Sequence, residues 1–254
     1  MKIVIGIPAR LGSSRFPGKP LCDILGKTMI EHVYRRCSLS KYATSLFVAA
    51  CDLAVANKVS SFGGKVIMTD PSIERPGLRV AAAAETLGLD DDDIVVVVQG
   101  DEPMIHPDMI DLTIKPLLEE KDVFVSNMCK DIEVEEWNDP GEIKVVCDNY
   151  MNAMYMSRSP IPSLAHEELR ATWWKQVCVM PFRWHFMKKF NHELYPTSLE
   201  KQESIEMLRA LQHGYKLRMV PSPYISKSVD TNTDRIAVEA LMKNDLIYKT
   251  YQNL

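Results

Sequence analysis

Four short apolar runs constrain the first hundred residues more tightly than anything else in the sequence. KIVIGIP, SLFVAAC, KVIMT and DDDIVVVVQGDEP carry continuous apolar stretches rich in β-branched residues, not an alternating pattern. That is how strands buried on both faces read. Segments of helical spacing lie between them. TMIEHVYRRCSLS puts Met29, Ile30, Val33 and Tyr34 on one side, LAVANKVSSFG stops at the Gly63–Gly64 pair, and RVAAAAETLG ends at Gly88. Strand and helix alternating with short connections over residues 1–103 predict a parallel sheet with helices on both faces. In such a sheet, ligands sit beyond the carboxyl ends of the strands.

Past residue 103 the pattern loosens. DMIDLTIKPLLEE reads as a helix, VFVSNM, IKVVCD, NAMYMSR, QVCVMPF and KLRMVPS as strands, and SLEKQESIEMLRALQHG as one helix with a glycine stop. The expectation is therefore a mostly parallel but mixed central sheet. SPIPSLAHEELRATWW is a proline-punctuated polar excursion, and VDTNTDRIAVEALMKND is a loop entering a final helix with Thr231 or Asn232 as N-cap. No repeat or linker divides the 254 residues, so the reading is one domain over 1–254 with a substrate-side, dimerisation insertion near 155–200.

Two polar stretches fall at strand ends. The first, RLGSSRFPGK, sets Arg10, Arg15 and Lys19 in a turn with Gly12 and Gly18, beside the hydroxyls of Ser13 and Ser14. Glycines let backbone N–H groups approach a ligand closely, and cations with donors around them cradle phosphates. The spacing is neither GxxxxGK[ST] nor GxGxxG. The second stretch, QGDEP, follows four valines and would project Asp101 from the strand end. A carboxylate facing a phosphate loop is a Mg²⁺ ligand by type, because Mg²⁺ takes one or two carboxylates plus substrate phosphates. Asp230 of VDTNTD is a third candidate; together Asp101 and Asp230 would hold metal, although a helix cap explains that stretch as well.

Composition excludes some classes. With 46% hydrophobic and 25% charged residues and a net charge of −4, the chain reads as globular, with no basic balance for nucleic acid. KIVIGIPA is too short for a signal peptide, and no run approaches the about 20 apolar residues of a membrane span. Cys22, Cys37, Cys51, Cys129, Cys147 and Cys178 are scattered singly without CxxC or zinc spacing. They read as thiols of a reducing, cytoplasmic compartment. The six histidines are dispersed, and Trp173–Trp174 reads as core or interface.

IPARLGSSRFPGKPL, GKTMIEHVYRRC, VVQGDEPMI, YMSRSPIP, LEKQESIEMLRAL and VDTNTD, in that order, resemble the CMP-Kdo synthetase family, the 3-deoxy-manno-octulosonate cytidylyltransferases. The resemblance implies a Rossmann-like, GT-A-like α/β nucleotidyltransferase fold, a cytoplasmic homodimer, CTP as co-substrate, Mg²⁺, and a place in lipopolysaccharide biosynthesis. It implies transfer of CMP to a keto-deoxy sugar acid with release of pyrophosphate. By the same resemblance Pro8, Ala9, Arg10, Ser13, Arg15, Lys19, Arg79 and Gln99 bind nucleotide. Arg10 and Lys19 hold the triphosphate, Gln99 lies near the cytidine, and Asp101 and Asp230 hold metal. Arg158, Gln176, Glu203 and Glu206 fall on the acceptor side, where Arg158 would pair bidentately with a carboxylate or phosphonate.

The acceptor side departs from the family. Where the family carries HxSGT(D/E)R this chain has IERPGLR, keeping Arg79 alone. Gln176 and Met180 stand in place of the family's strand histidine and tyrosine, and Met207 in place of a glutamine; Glu200, Glu203 and Glu206 persist. The expectation is an active cytidylyltransferase whose acceptor is not ordinary Kdo: a modified keto-deoxy acid, or a phosphonate or other small acid. UTP or GTP with a sugar phosphate, and a non-catalytic nucleotide-binding protein on the same fold, are the alternatives.

Overall fold

The four apolar runs form the strands expected of them, and those strands are parallel. A computed structural model of the chain describes residues 1–13, 15–163 and 172–254; Ser14 of the glycine-rich loop and residues 164–171 of the polar excursion lie outside the described residues. The chain forms two units, Met1–Asp111 with Tyr224–Leu254, and Leu112–Pro223. The expected insertion near 155–200 falls inside the second.

In chain order the first unit has β1 (Ile3–Ala9), a hairpin of β2 (Asp23–Ile24) and β3 (Lys27–Thr28), α1 (Met29–Cys37), β4 (Ser45–Ala50), α2 (Leu53–Ser61), β5 (Val66–Met68), α3 (Pro76–Ala84) and β6 (Ile94–Val98). Helix α4 (Pro107–Glu119) leads into β7 (Ser126–Asp131), α5 (Val134–Asn138), β8 (Lys144–Cys147), β9 (Ala153–Ser157), β10 (Trp174–Val177), β11 (Val179–Arg183), α6 (Trp184–His192), α7 (Ser198–Glu203), α8 (Leu208–Gln212) and β12 (Arg218–Pro221). The chain ends in α9 (Asn232–Met242) and α10 (Leu246–Tyr251).

In the first unit β6, β1, β4 and β5 lie side by side in that order, each pair parallel. Every residue of β1 and β6 is buried, which explains why neither run alternates. In the second unit the order is β12-β7-β10-β8-β9, with β12–β7 parallel and the other pairs antiparallel. This is the mixed character expected of the later half.

Several boundaries differ from the sequence reading. SLEKQESIEMLRALQHG is two helices, because Ser204 turns left-handed at φ 53° and sends Ile205, Met207 and Leu208 inward instead of along one continuous face. QVCVMPF breaks at Cys178 into β10 and β11. Helix α3 begins at Pro76, earlier than expected, with proline in its first turn where a missing N–H costs nothing. Trp173 is buried and stacks on Trp137 at 5.1 Å, so it is core. No helix among the described residues is long and apolar enough to cross a membrane.

Helix α10 is fastened to α1 by a buried polar cluster. His32 bonds through Nδ1 to the Tyr251 hydroxyl at 3.0 Å and through Nε2 to the Ile24 carbonyl at 2.7 Å. Arg36 donates to the same hydroxyl at 3.1 Å and pairs with Asp245 at 3.0 Å. Burial, with Arg36 nearby, pushes the His32 pKa down to about 4 from 6.5. The folded protein thus keeps His32 neutral where the unfolded chain would protonate it. That contribution is complete above pH 6.5 and is lost as the pH falls toward 4, approaching about 3 kcal/mol. Denaturant titrations at pH 7.5 and pH 4.5 should show this loss in the wild type. The His32→Gln variant should be less stable at pH 7.5 and lose less between the two pH values.

Candidate functional site

The site forms where β1 and β6 end. The strands are neighbours, with Gly6 opposite Val97, and β6 runs on into Gln99, Gly100 and Asp101. A Cβ on Gly100 would stand 2.7 Å from the Pro8 carbonyl oxygen. Glycine is therefore what lets the two strand ends approach and sets Asp101 beside the loop that leaves β1.

That loop is tied to its own backbone and to the residue that precedes α2. The Leu11 N–H donates to Asp52 Oδ2 at 2.8 Å, and the Leu11 carbonyl accepts from Ser13 and Gly18 at 2.8 and 3.3 Å. Gly18 takes φ 70°, the left-handed conformation that starts the short turn Lys19–Leu21. Phe16 packs against the cluster of Ile24, Met29, Met104, Val229, Val238 and Met242 and so roots the loop in the core.

The third piece arrives from the other end of the chain. The Val229 N–H donates to the Asp101 carbonyl at 2.9 Å, which sets Asp230 next to Asp101. Thr231 caps α9, with its hydroxyl accepting from the Asp234 N–H at 3.2 Å, and the Asp234 carboxylate accepts from the Thr231 N–H at 2.9 Å. The cap is thus complete without the Asp230 carboxylate, which turns to Lys19. Lys19 Nζ lies 2.8 Å from Asp101 Oδ2 and 3.0 Å from Asp230 Oδ1, and Arg15 lies 3.1 Å from the same Asp230 oxygen. Burial of Lys19 disfavours its charge, but the Asp101 and Asp230 carboxylates outweigh burial and hold its pKa above the ordinary lysine value.

These pieces enclose a cavity of about 450 Å³. Pro8, Ala9, Arg10, Ser13, Arg15 and Lys19 line it from the β1 side, and Gln99, Asp101 and Asp230 from the other two pieces. Arg79 lines it as well, but its protons go elsewhere: to Thr69 Oγ1 at 2.6 Å and to the carbonyls of Asp70 and Ile73. It is a buried brace for the 69–73 loop. All ten nucleotide-side and metal residues expected from the sequence therefore border one cavity. Sequence reasoning missed Glu74 and Pro76, which also line it. The signal was Pro76 itself, because a proline fit for a helix start places Glu74 in the loop just after β5.

Among the described residues no group of three or more His, Cys, Asp or Glu side chains is placed to hold a metal. The two carboxylates that converge on Lys19 are a hard, all-oxygen pair, and the ammonium between them marks where a cation is stabilised. That fits Mg²⁺, which completes its shell with phosphate oxygens and water.

Arg158, Gln176, Glu203 and Glu206, the residues expected on the acceptor side, all lie in the second unit. Glu203 accepts from Ser157 Oγ at 2.7 Å and from the Arg158 N–H at 2.9 Å. Arg158 Nε donates to the Glu203 carbonyl at 2.9 Å, and its Nη1 to the carbonyls of Pro140 and Gly141 at 3.0 and 3.2 Å. Bidentate pairing with a ligand would compete with those carbonyls. Gln176 donates to Asn127 and meets Met180 Sδ at 3.7 Å, so the two residues standing in place of histidine and tyrosine engage each other. Glu206 is half-buried between α7 and α8.

A family model described as cytidylyltransferase matches residues 3–218. The chain is 40% identical over 247 residues to the 8-amino-3,8-dideoxy-manno-octulosonate cytidylyltransferase of Shewanella loihica, covering 96% of this chain and 100% of that protein. It is 39% identical over 249 residues to the 3-deoxy-manno-octulosonate cytidylyltransferase of Syntrophobacter fumaroxidans, covering 97% and 99%. The solved structure of CMP:2-keto-3-deoxy-manno-octonic acid synthetase complexed with CTP superposes with a TM-score of 0.90 at 36% identity, covering 97% of this chain and 100% of that one.

Gly100→Ala should destabilise the protein by about 1–3 kcal/mol, as overpacking does. Gly12→Ala, where a Cβ meets nothing within 4 Å, should cost much less. Chemical denaturation of the pair measures the difference.

Proposed function

The chain belongs to the cytidylyltransferase family, and on that premise we propose that its cavity holds CTP and that the enzyme transfers CMP to a keto-deoxy sugar acid of the manno-octulosonate type. The observation that carries this reading is the convergence of Arg10, Arg15 and Lys19 with Asp101 and Asp230 in one cavity at the carboxyl ends of parallel strands. A sugar hydroxyl oxygen attacks the α-phosphorus, the bond to the bridging oxygen of the β-phosphate breaks, and pyrophosphate leaves; the hydroxyl proton passes to solvent. Arg10, Arg15 and Lys19 neutralise the phosphates, and the loop backbone fixes them in line, so that positioning and charge supply most of the rate. Asp101 and Asp230 would hold Mg²⁺, which when bound withdraws charge from the phosphate oxygens. Pro8, Ala9, Ser13 and Gln99 shape the nucleoside and loop end, and Arg79 keeps the 69–73 loop in place.

Glu74 has a part in this reading that the motifs do not suggest. A carboxylate repels a triphosphate. Its place on the cavity wall therefore suits the nucleoside, whose hydroxyls or exocyclic amine donate hydrogen bonds. Such a charge-assisted bond is worth about 1.5–3 kcal/mol. Glu74→Ala should accordingly raise the KM for CTP about tenfold or more with kcat largely kept, measured by steady-state kinetics.

On the acceptor side the reading assigns Arg158, Gln176, Glu203 and Glu206 to the sugar acid. The Gln176–Met180 pair favours an acceptor other than unmodified Kdo, because two hydrogen-bonding partners for a polyhydroxy acid are replaced by a thioether and by an amide whose N–H groups are taken up by Asn127 and that thioether. A homodimer and a reducing cytoplasmic setting belong to the same reading; the thiols, buried or half-buried throughout, support the setting.

Pyrophosphate release tests the whole. The protein is incubated with Mg²⁺, each nucleoside triphosphate in turn, and a panel of Kdo, 8-amino-Kdo, other keto-deoxy acids and phosphonates. Release with CTP and one sugar acid is expected. Tight CTP binding with no release from any acceptor would favour the non-catalytic alternative. Asp101→Asn should lower kcat by roughly 10²-fold or more; wild-type turnover in that variant would remove the metal assignment.

A further inference from the structure

We infer that Lys19 is an internal counter-ion that occupies the metal-binding carboxylates of the free protein and yields them when a polyphosphate draws it away. The inference rests on the metal assignment proposed above for Asp101 and Asp230.

Lys19 is the less exposed partner of the cluster: its side chain is 13% exposed, against 29% for Asp101 and 37% for Asp230. Its ammonium reaches both carboxylates at hydrogen-bond distance, and Arg15 supplies a second positive charge to Asp230. Two negative charges are thus balanced by two positive ones before any ligand arrives. A divalent cation entering here meets neutralised carboxylates and a repelling ammonium.

The parts differ in how freely they move. Asp101 is held through its own carbonyl by the Val229 N–H, and Asp230 sits just before the closed cap of α9. The backbone of Lys19 is fixed in its turn by buried Pro20. What can move is the four-carbon stem of Lys19, which carries a compact charge on rotatable bonds. Arg79, a buried cation on the same cavity wall, cannot take its place, because its guanidinium is held by Thr69 and by loop carbonyls. A triphosphate entering beside Arg10 offers Lys19 an anion of higher charge. When the ammonium turns to that anion, the carboxylates are released to the metal. Nucleotide and metal then bind with positive coupling, and by linkage the coupling is reciprocal.

Mn²⁺ serves as the probe, titrated into the full-length protein without nucleotide and followed by electron paramagnetic resonance of the free ion. Wild type and Lys19→Arg, which keeps a cation in place, should bind it weakly. Lys19→Met and Lys19→Gln should bind it at least tenfold more tightly, and adding Asp101→Asn to either should abolish the gain. Circular dichroism checks that each variant is folded, and two neutral variants guard against one that is not. A parallel arm measures water proton relaxation with Mn²⁺ and CTP together. If an Asp101-dependent ternary complex forms but the neutral Lys19 variants bind Mn²⁺ no more tightly than wild type without nucleotide, the counter-ion role is overturned and the metal assignment survives. If no such ternary complex forms, the metal assignment fails and the inference with it. A gain that survives Asp101→Asn also overturns the inference.

Discussion

The hydrogen bond from the Val229 N–H to the Asp101 carbonyl joins the end of β6 to the stretch that enters α9. It lies between residues 128 positions apart, so it is made only when the chain has returned to the first unit. The cavity depends on it. With it, Asp230 stands next to Asp101 and both reach Lys19; without it, QGDEP is a strand end with one carboxylate. The approach of Gly100 to Pro8 serves the same end from below, since it brings that strand end against the loop the carboxylate must face.

Much of this was legible because the first unit is made of local rules. Continuous valine and isoleucine runs give buried strands, Gly63 and Gly88 follow their helices in the left-handed conformation, and β/α alternation gives parallel order. The later half is less legible for a physical reason. Ser204 turns left-handed in the middle of a regular helical period, and nothing in the spacing of LEKQESIEMLR marks that residue. The burial of Ile205, Met207 and Leu208 decides the break, and burial depends on tertiary neighbours. The VDTNTD stretch shows the opposite case. Helix cap and metal ligand were competing readings in the sequence. In the structure both roles are compatible, because Thr231 and Asp234 close the cap and leave the Asp230 carboxylate to Lys19.

The residues that replace the family's sugar-facing pair were visible as departures, but their consequence was not. Gln176 is on β10 and Met180 on β11, on either side of the break at Cys178. The break is what lets the two side chains meet. A glutamine amide committed to Asn127 and to a thioether is a poorer partner for a sugar hydroxyl than the histidine it replaces. On the proposed reading, the pair alters acceptor recognition by what it engages internally as well as by what it lacks.

The cations of the first unit look alike in sequence and differ in what holds them. Arg79 donates to a hydroxyl and to backbone carbonyls, which are neutral and fixed by the loop they belong to. A guanidinium in that setting has no better partner to move to, and the entry of an anion changes little for it. Lys19 donates to two carboxylates. Its charge is needed only while theirs is uncompensated, so another anion for the ammonium and another cation for the carboxylates can replace the contact with little net change in charge balance. At this cavity the cation bonded to carbonyls is a brace, and the one bonded to half-exposed carboxylates is the one inferred to exchange. That distinction follows from the partners, which fold topology supplies and a motif does not contain.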